Sequence, residues 1–187
     1  MAPYNSPNWL PGGHAQTIWP LLIKGPLPAY RRERWETPDE DFIDLDWIEG
    51  SPGAPCVVLF HGLEGSSRSH YSRRLMFALK QRGWHGVVVH FRGCSGEPNR
   101  LPRAYHSGDS AEIDWILRRL QALGFSALFA AGVSLGGNVL LKWLAEQGIQ
   151  AGTVINAAAA VSAPLDLAAA NAELSSGFNR IYALHFL

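Results

Sequence analysis

The stretch ALFAAGVSLGGNVLLKWL, residues 127–144, decides the fold. Its first half is a short, continuous apolar run ending in glycine and serine, the composition of a strand buried on both faces. From Leu135 the pattern turns helical and runs to Gln147, where Gly148 stops it. Between the two halves lies Gly132-Val133-Ser134-Leu135-Gly136, followed by Gly137. A serine therefore ends a buried strand and opens a helix. A turn that tight demands glycine at the flanking positions, and the helix N-terminus favours negative charge developing beside the hydroxyl. GxSxG alone is a weak signal, because a glycine-rich turn with a serine N-cap also produces it. Its place between strand and helix makes Ser134 the candidate nucleophile.

Outward from this stretch the same alternation repeats. CVVLFHG (56–62), GVVVHFRG (86–93) and GTVINAAAAVSAP (152–164) are further apolar runs, the last predicting a strand over 153–163. Between them, Tyr71, Leu75, Ala78 and Leu79 share a helical face before Gly83. Asp109 and Glu112 resemble a capping box ahead of Ile113, Ile116, Leu117 and Leu120, and Gly124 ends that segment. Strands alternating with helices predict an α/β protein with a parallel sheet. Upstream, Arg31–Thr37 and Phe42–Ile48 flank the acidic turn Pro38-Asp39-Glu40-Asp41 and predict an antiparallel pair. Residues 1–30 show neither period. They read as an ordered arm in which Trp9, Ile18, Trp19, Leu21 and Leu22 seek burial.

Composition narrows the function classes. Of 187 residues, 47% are hydrophobic and 17% charged, with sixteen acids balancing sixteen bases. That is the profile of a soluble globular chain with no net field to hold nucleic acid or an anionic membrane. Cys56 and Cys94 belong to neither a CxxC nor a Cys/His cluster, so no disulfide framework or zinc site is expected. No signal peptide is apparent, and Asn156, Pro164 and Asp166 interrupt the Ala-rich segment 151–170, which argues against a transmembrane segment. A cytoplasmic protein is the expectation.

His61-Gly62-Leu63-Glu64-Gly65 follows the strand 56–60, in the loop that in such sheets supplies a second oxyanion donor. The backbone N–H groups of Leu63 and Leu135 are the candidate donors, and His61 reads as a packing and hydrogen-bonding residue. HGLEGSSRSHY (61–71), FRGCSGEPNRLPRAYHSGDS (91–110), GVSLGGNVLLKWL (132–144), NAAAAVSAPLDL (156–167) and PNWLPGGHAQTIWP (7–20) together resemble the YheT-like esterase family, which is related to eukaryotic abhydrolase-domain phospholipases and carboxylesterases. The resemblance implies an α/β-hydrolase fold, hydrolysis of short-chain or lipid acyl esters, and neither metal nor organic cofactor. It carries over Ser134 as nucleophile with Leu63 and Leu135 as oxyanion donors.

On that template the chain is a single incomplete domain: an arm (1–30), a core (31–163) and the start of a cap (164–187), missing the last strands. The acid and the histidine of the triad are expected after the strand 153–163, in sequence beyond residue 187. Within the chain, Asp166 and His185 have the right order but lack the strand on which the base hangs. His106 and Asp109 read as capping residues, while His14, His70, His85 and His90 read as structural. The chain alone is expected to turn over p-nitrophenyl esters little or not at all, and to self-associate through an exposed sheet edge. The rival is a non-catalytic paralogue that binds an acyl ligand or a protein partner.

Overall fold

A computed structural model describes residues 5–23 and 25–177. Among them, six strands form one sheet: β1 (Arg31–Glu36), β2 (Phe42–Ile48), β3 (Cys56–Phe60), β4 (His85–Val89), β5 (Leu128–Val133) and β6 (Ala157–Val161). Their spatial order is β1-β2-β4-β3-β5-β6. β1 pairs antiparallel with β2, and β2 antiparallel with β4, whereas β4, β3, β5 and β6 run parallel. Helices α2 (His70–Gln81), α3 (Ser110–Gln121) and α4 (Leu135–Gln147) connect the parallel strands; α1 (Gly13–Leu22) and α5 (Leu167–Leu174) flank them in sequence. The mostly parallel sheet with its N-terminal antiparallel pair is the one expected from the apolar runs.

Successive strand residues feed opposite faces, so both faces carry a core. On one face, Val58, Phe60, Val87, Val89 and Ala130 pack with Ile113, Ile116, Leu117 and Leu120 of α3 and Val139, Leu140 and Trp143 of α4. On the other, Val57, Leu59 and Val88 pack with Met76 and Leu79 of α2. Each such aliphatic side chain contributes about 2 kcal/mol relative to exposure. The buried residues of α2 are Ser72, Met76 and Leu79, with Tyr71 and Leu75 at the margin, a face slightly rotated from the one the spacing suggested.

β2 is buried at all seven positions despite Asp44 and Asp46. Each aspartate stands directly opposite an arginine of β1, Arg34 and Arg32 respectively. The paired guanidinium and carboxylate groups meet at 2.7 and 2.8 Å, which offsets the cost of burial.

Three expectations need correction. First, the arm contains helix α1, and its apolar side chains are not buried: Trp9 is 65% and Leu22 71% exposed, with Ile18, Trp19 and Leu21 also exposed. Trp9 and Trp19 meet edge to face, and the arm is tied down by its carbonyls instead, Ile23 and Gly25 accepting from Arg74 and Arg73. Second, the run 152–164 yields strand only at Ala157–Val161. A 3-10 turn at Gly148–Thr153 precedes it, and β6 is the sheet edge with all five of its residues exposed. Third, the capping box does not form. Asp109 stands at the N-cap of α3 without a side-chain cap bond; its carboxylate pairs with Arg103, and Glu112 pairs with Arg92. Ion pairs to Arg103 and Arg92 take the two carboxylates in place of the local amides. Among the described residues, no helix is long and apolar enough to cross a membrane.

Candidate active site

β3, β4, β5 and β6 are parallel, so the loops leaving their C-terminal ends gather along one edge of the sheet. From β3 the chain steps to β4 on one side and later to β5 on the other, and the crevice between such diverging connections is where ligands bind in open α/β sheets. Ser134 leaves β5 there, and His61–Gly65 leaves β3 beside it.

Ser134 has φ 51 and ψ −118, a conformation that side-chain-bearing residues rarely adopt. Its N–H donates to Val161 O at 2.9 Å, and its carbonyl accepts Asn138 N–H at 3.0 Å, holding the turn from both sides. The glycines around it are steric requirements. A Cβ on Gly136 would fall 2.3 Å from Phe60 O, and one on Gly132 would fall 2.5 Å from Gly136 O. Only bare backbone lets α4 start this close to β3. Gly62 approaches the serine in turn: a Cβ there would stand 3.2 Å from Ser134 Cβ.

The loop after β3 is braced by side chains. His61 is fully buried; its Nε2 accepts the Phe91 N–H at 3.1 Å, so its proton sits on Nδ1, which donates to Gly62 O at 2.7 Å. Burial pushes its pKa down to about 4 against the opposing pull of the Gly62 carbonyl, so the ring is neutral at physiological pH. Gly65 N–H also donates to Gly62 O, at 2.9 Å. A trans peptide points its carbonyl and N–H in opposite directions, so fixing Gly62 O aims the Leu63 N–H. Gly62 N–H donates to Tyr71 Oη at 2.9 Å and Glu64 N–H to Tyr105 Oη at 2.8 Å. The N–H groups of Leu63 and Leu135 carry no acceptor among the described residues. The Leu63 side chain is 42% exposed and Ser134 is half-buried, so the crevice is open to solvent.

Tyr105 belongs to the excursion 91–109, which a buried charge cluster holds in place. Arg92 bonds Asp41 at 2.8 Å, Glu112 at 2.7 Å and Asp39 at 3.0 Å, while Arg103 binds Asp109 at 2.8 Å. Burial raises the Glu112 carboxyl above its ordinary value even beside Arg92, and lowers the Arg92 guanidinium less than its bonds to Glu112 and Asp39 raise it. Tyr105 then stacks on Phe91, with ring centroids 5.1 Å apart.

The remaining candidates lie elsewhere in these networks. Asp166 accepts from Ala169 N–H at 2.9 Å as the N-cap of α5, and His185 falls outside the described residues. His106 Nδ1 accepts Gly108 N–H in an exposed turn. His90 is buried against Asp46, His85 accepts Gly50 N–H, and His70 lies edge-on to Tyr71. Burial pushes the Cys56 thiol up to about 12 and the Cys94 thiol up to about 11, so neither is a thiolate at neutral pH. The bracing tyrosines had no signal in the sequence.

A mixed sheet of this order, with a strained serine at the strand-to-helix turn, defines an α/β-hydrolase fold. The family model described as "alpha/beta hydrolase fold" matches residues 55–186, and the chain belongs to that family. It is 45% identical over 181 residues to "Putative esterase YheT" of Escherichia coli (strain K12), a match covering 93% of this chain and 52% of that protein. It is 30% identical over 189 residues to "Phospholipase ABHD3" of Homo sapiens, covering 96% of this chain and 46% of the relative. The chain thus spans about half the length of the curated relatives it matches. Among solved structures, the Pyrococcus furiosus esterase Pf2001 superposes with a TM-score of 0.62 at 20% identity, over 84% of this chain and 60% of that one, a likeness of fold alone.

Proposed function

We propose that the chain carries the nucleophile and oxyanion half of a serine hydrolase that cleaves carboxylic esters. The observation that carries this reading is Ser134, strained at the end of β5 beside two backbone N–H groups that have no acceptor among the described residues. Ser134 Oγ attacks the ester carbonyl carbon as its proton passes to a base, and the Leu63 and Leu135 N–H groups receive the negative charge forming on the carbonyl oxygen. Collapse of the tetrahedral intermediate expels the alcohol, which takes up that proton, and water then releases the acid from the acyl-enzyme. Losing one such donor costs about 3 kcal/mol of transition-state stabilisation. Asp166 serves as a helix cap, and His61, His85, His90 and His106 are held in other networks, so the reading places the base and its acid in sequence outside the described residues. The esterase and phospholipase names of the relatives fit acyl-ester substrates, short-chain or lipid. The charge balance and the N–H-lined crevice suit a neutral carbonyl ligand rather than nucleic acid.

A fluorophosphonate probe tests the proposal on protein that also carries the proposed acid and base from outside the described residues. Covalent labelling that disappears in Ser134→Ala is expected. A folded protein that resists labelling would refute it and favour a non-catalytic role for the crevice. The chain by itself is expected to show little turnover of p-nitrophenyl esters; robust Ser134-dependent turnover would place the base and acid within residues 1–187.

A further inference from the structure

The loop from Gly62 to Gly65 presents four consecutive backbone N–H groups, and only one can aim at a carbonyl oxygen held by Ser134. Gly65 N–H is spent on Gly62 O. The groups on either side of Leu63 are spent on two phenol oxygens: Tyr71 Oη from α2 takes Gly62 N–H, and Tyr105 Oη from the excursion 91–109 takes Glu64 N–H. Tyr105 bonds the same residue twice, because its O–H also donates to Glu64 Oε1 at 2.9 Å. That matters because Glu64 has φ 51, a left-handed conformation that a glutamate abandons unless its surroundings hold it there. Relaxing Glu64 would rotate the peptide next to Leu63. Tyr71 lies equally close: a Cβ on Gly65 would meet its Oη at 2.6 Å, so the loop is wrapped on that hydroxyl. Neither hydroxyl belongs to a chemical step. Each removes a competing donor and fixes one end of the loop.

We infer that Tyr71 and Tyr105 are positioning residues for the oxyanion site: their hydroxyls occupy the amides flanking Leu63 and thereby leave its N–H as the loop's single aimed donor. This rests on the proposed roles of Ser134 and Leu63.

The test compares Tyr71→Phe and Tyr105→Phe with Tyr30→Phe in protein that also carries the proposed acid and base. Tyr30 supplies a matched control, since its hydroxyl donates to Ser67 O at 3.1 Å, away from the donor amide. Fluorophosphonate inactivation is followed at several probe concentrations, which separates probe binding from the covalent step at Ser134. Each of the two site variants should slow the covalent step by about tenfold, a fraction of the hundredfold or more for a donor lost outright, with probe affinity unchanged. Tyr30→Phe should leave both constants at the wild-type values. Equal covalent rates in all four proteins would overturn the inference while leaving Ser134 as nucleophile. Failure of the wild type to label at Ser134 would overturn both readings. Amide hydrogen exchange on the unaltered chain gives a check that needs no variant: Gly62 and Glu64 should exchange at least about tenfold more slowly than Leu63. Equal protection of the three amides would sink the inference.

Discussion

His61 should make the fold acid-sensitive at a pH where carboxylates are still ionised. Its Nε2 accepts the Phe91 N–H, so a second proton on the ring must break that bond and release the loop 61–65 from the segment after β4. Burial lowers its pKa from 6.5 to about 4. The folded state therefore holds the proton less tightly than the unfolded chain. Stability from the neutral ring is complete above pH 6.5, falls as the pH drops through the window between the two values, and is gone below about 4. Across that window the loss amounts to about 3 kcal/mol, at a limiting slope of roughly 1.4 kcal/mol per pH unit. Urea unfolding of the wild type and of His61→Gln, at fixed pH values from about 4 to about 8, isolates this contribution from other titrating groups. Glutamine offers both a donor and an acceptor but does not titrate. The variant should be the less stable protein at neutral pH, and the gap should narrow by about 3 kcal/mol towards pH 4. A gap that stays constant would mean that the ring titrates alike in both states, and the account of the buried bracket would fail.

Three further outcomes follow from the same geometry. Gly136→Ala pushes a methyl group into the carbonyls of Phe60 and His61, at 2.3 and 2.4 Å, and should cost at least about 3 kcal/mol in chemical unfolding; a loss below about 0.5 kcal/mol would show that α4 and β3 are not in forced contact. Ser134→Gly relieves the positive φ and should stabilise the fold by about 1 kcal/mol while abolishing fluorophosphonate labelling, and a destabilised variant would contradict the strain. β6 is an exposed apolar edge, with Val161 53% exposed, so sedimentation should show association that grows with concentration and weakens in Ala159→Lys/Val161→Lys; a wild type that stays monomeric at every concentration would exclude the edge as a contact.

The elements legible in the sequence are those whose cause is local. β3, β4 and β5 announce themselves as apolar runs closed by glycine, and Ile113, Ile116, Leu117 and Leu120 of α3 are all buried as their spacing implies. The turn at Ser134 is legible for the same reason, because the backbone crossing demands glycine at 132 and 136. Helix α1 was hidden: its apolar residues lie on several faces, Pro20 interrupts it, and no polar face supplies a period. The exposed edge at β6 was expected, but its late start was not, since the run from Gly152 reads as strand and begins instead as a turn. The capping residues failed where tertiary pairing intervened, Arg103 and Arg92 drawing Asp109 and Glu112 away from the helix end. Tyr71 and Tyr105 could not be found from spacing because their partners depend on how α2 and the 91–109 excursion fold back over β3.

In the proposed mechanism, nearly all of the described half-site is main chain. Its one reactive side chain is a hydroxyl, and its two donors are peptide groups leaving adjacent strands, β3 and β5, whose separation is set by the ladder spacing of about 4.8 Å. The distance from Ser134 to the Leu63 amide is therefore inherited from sheet pairing and trimmed by the braces around Gly62. Such an arrangement forms as soon as the sheet does, and no proton need move for it to form. It lowers the barrier only for a nucleophile that can surrender its proton, so stabilisation and activation are separable. Supplying a base from outside the described residues should then raise reactivity at Ser134 without rearranging the loop, whereas loosening Tyr71 or Tyr105 should depress reactivity whichever base is present.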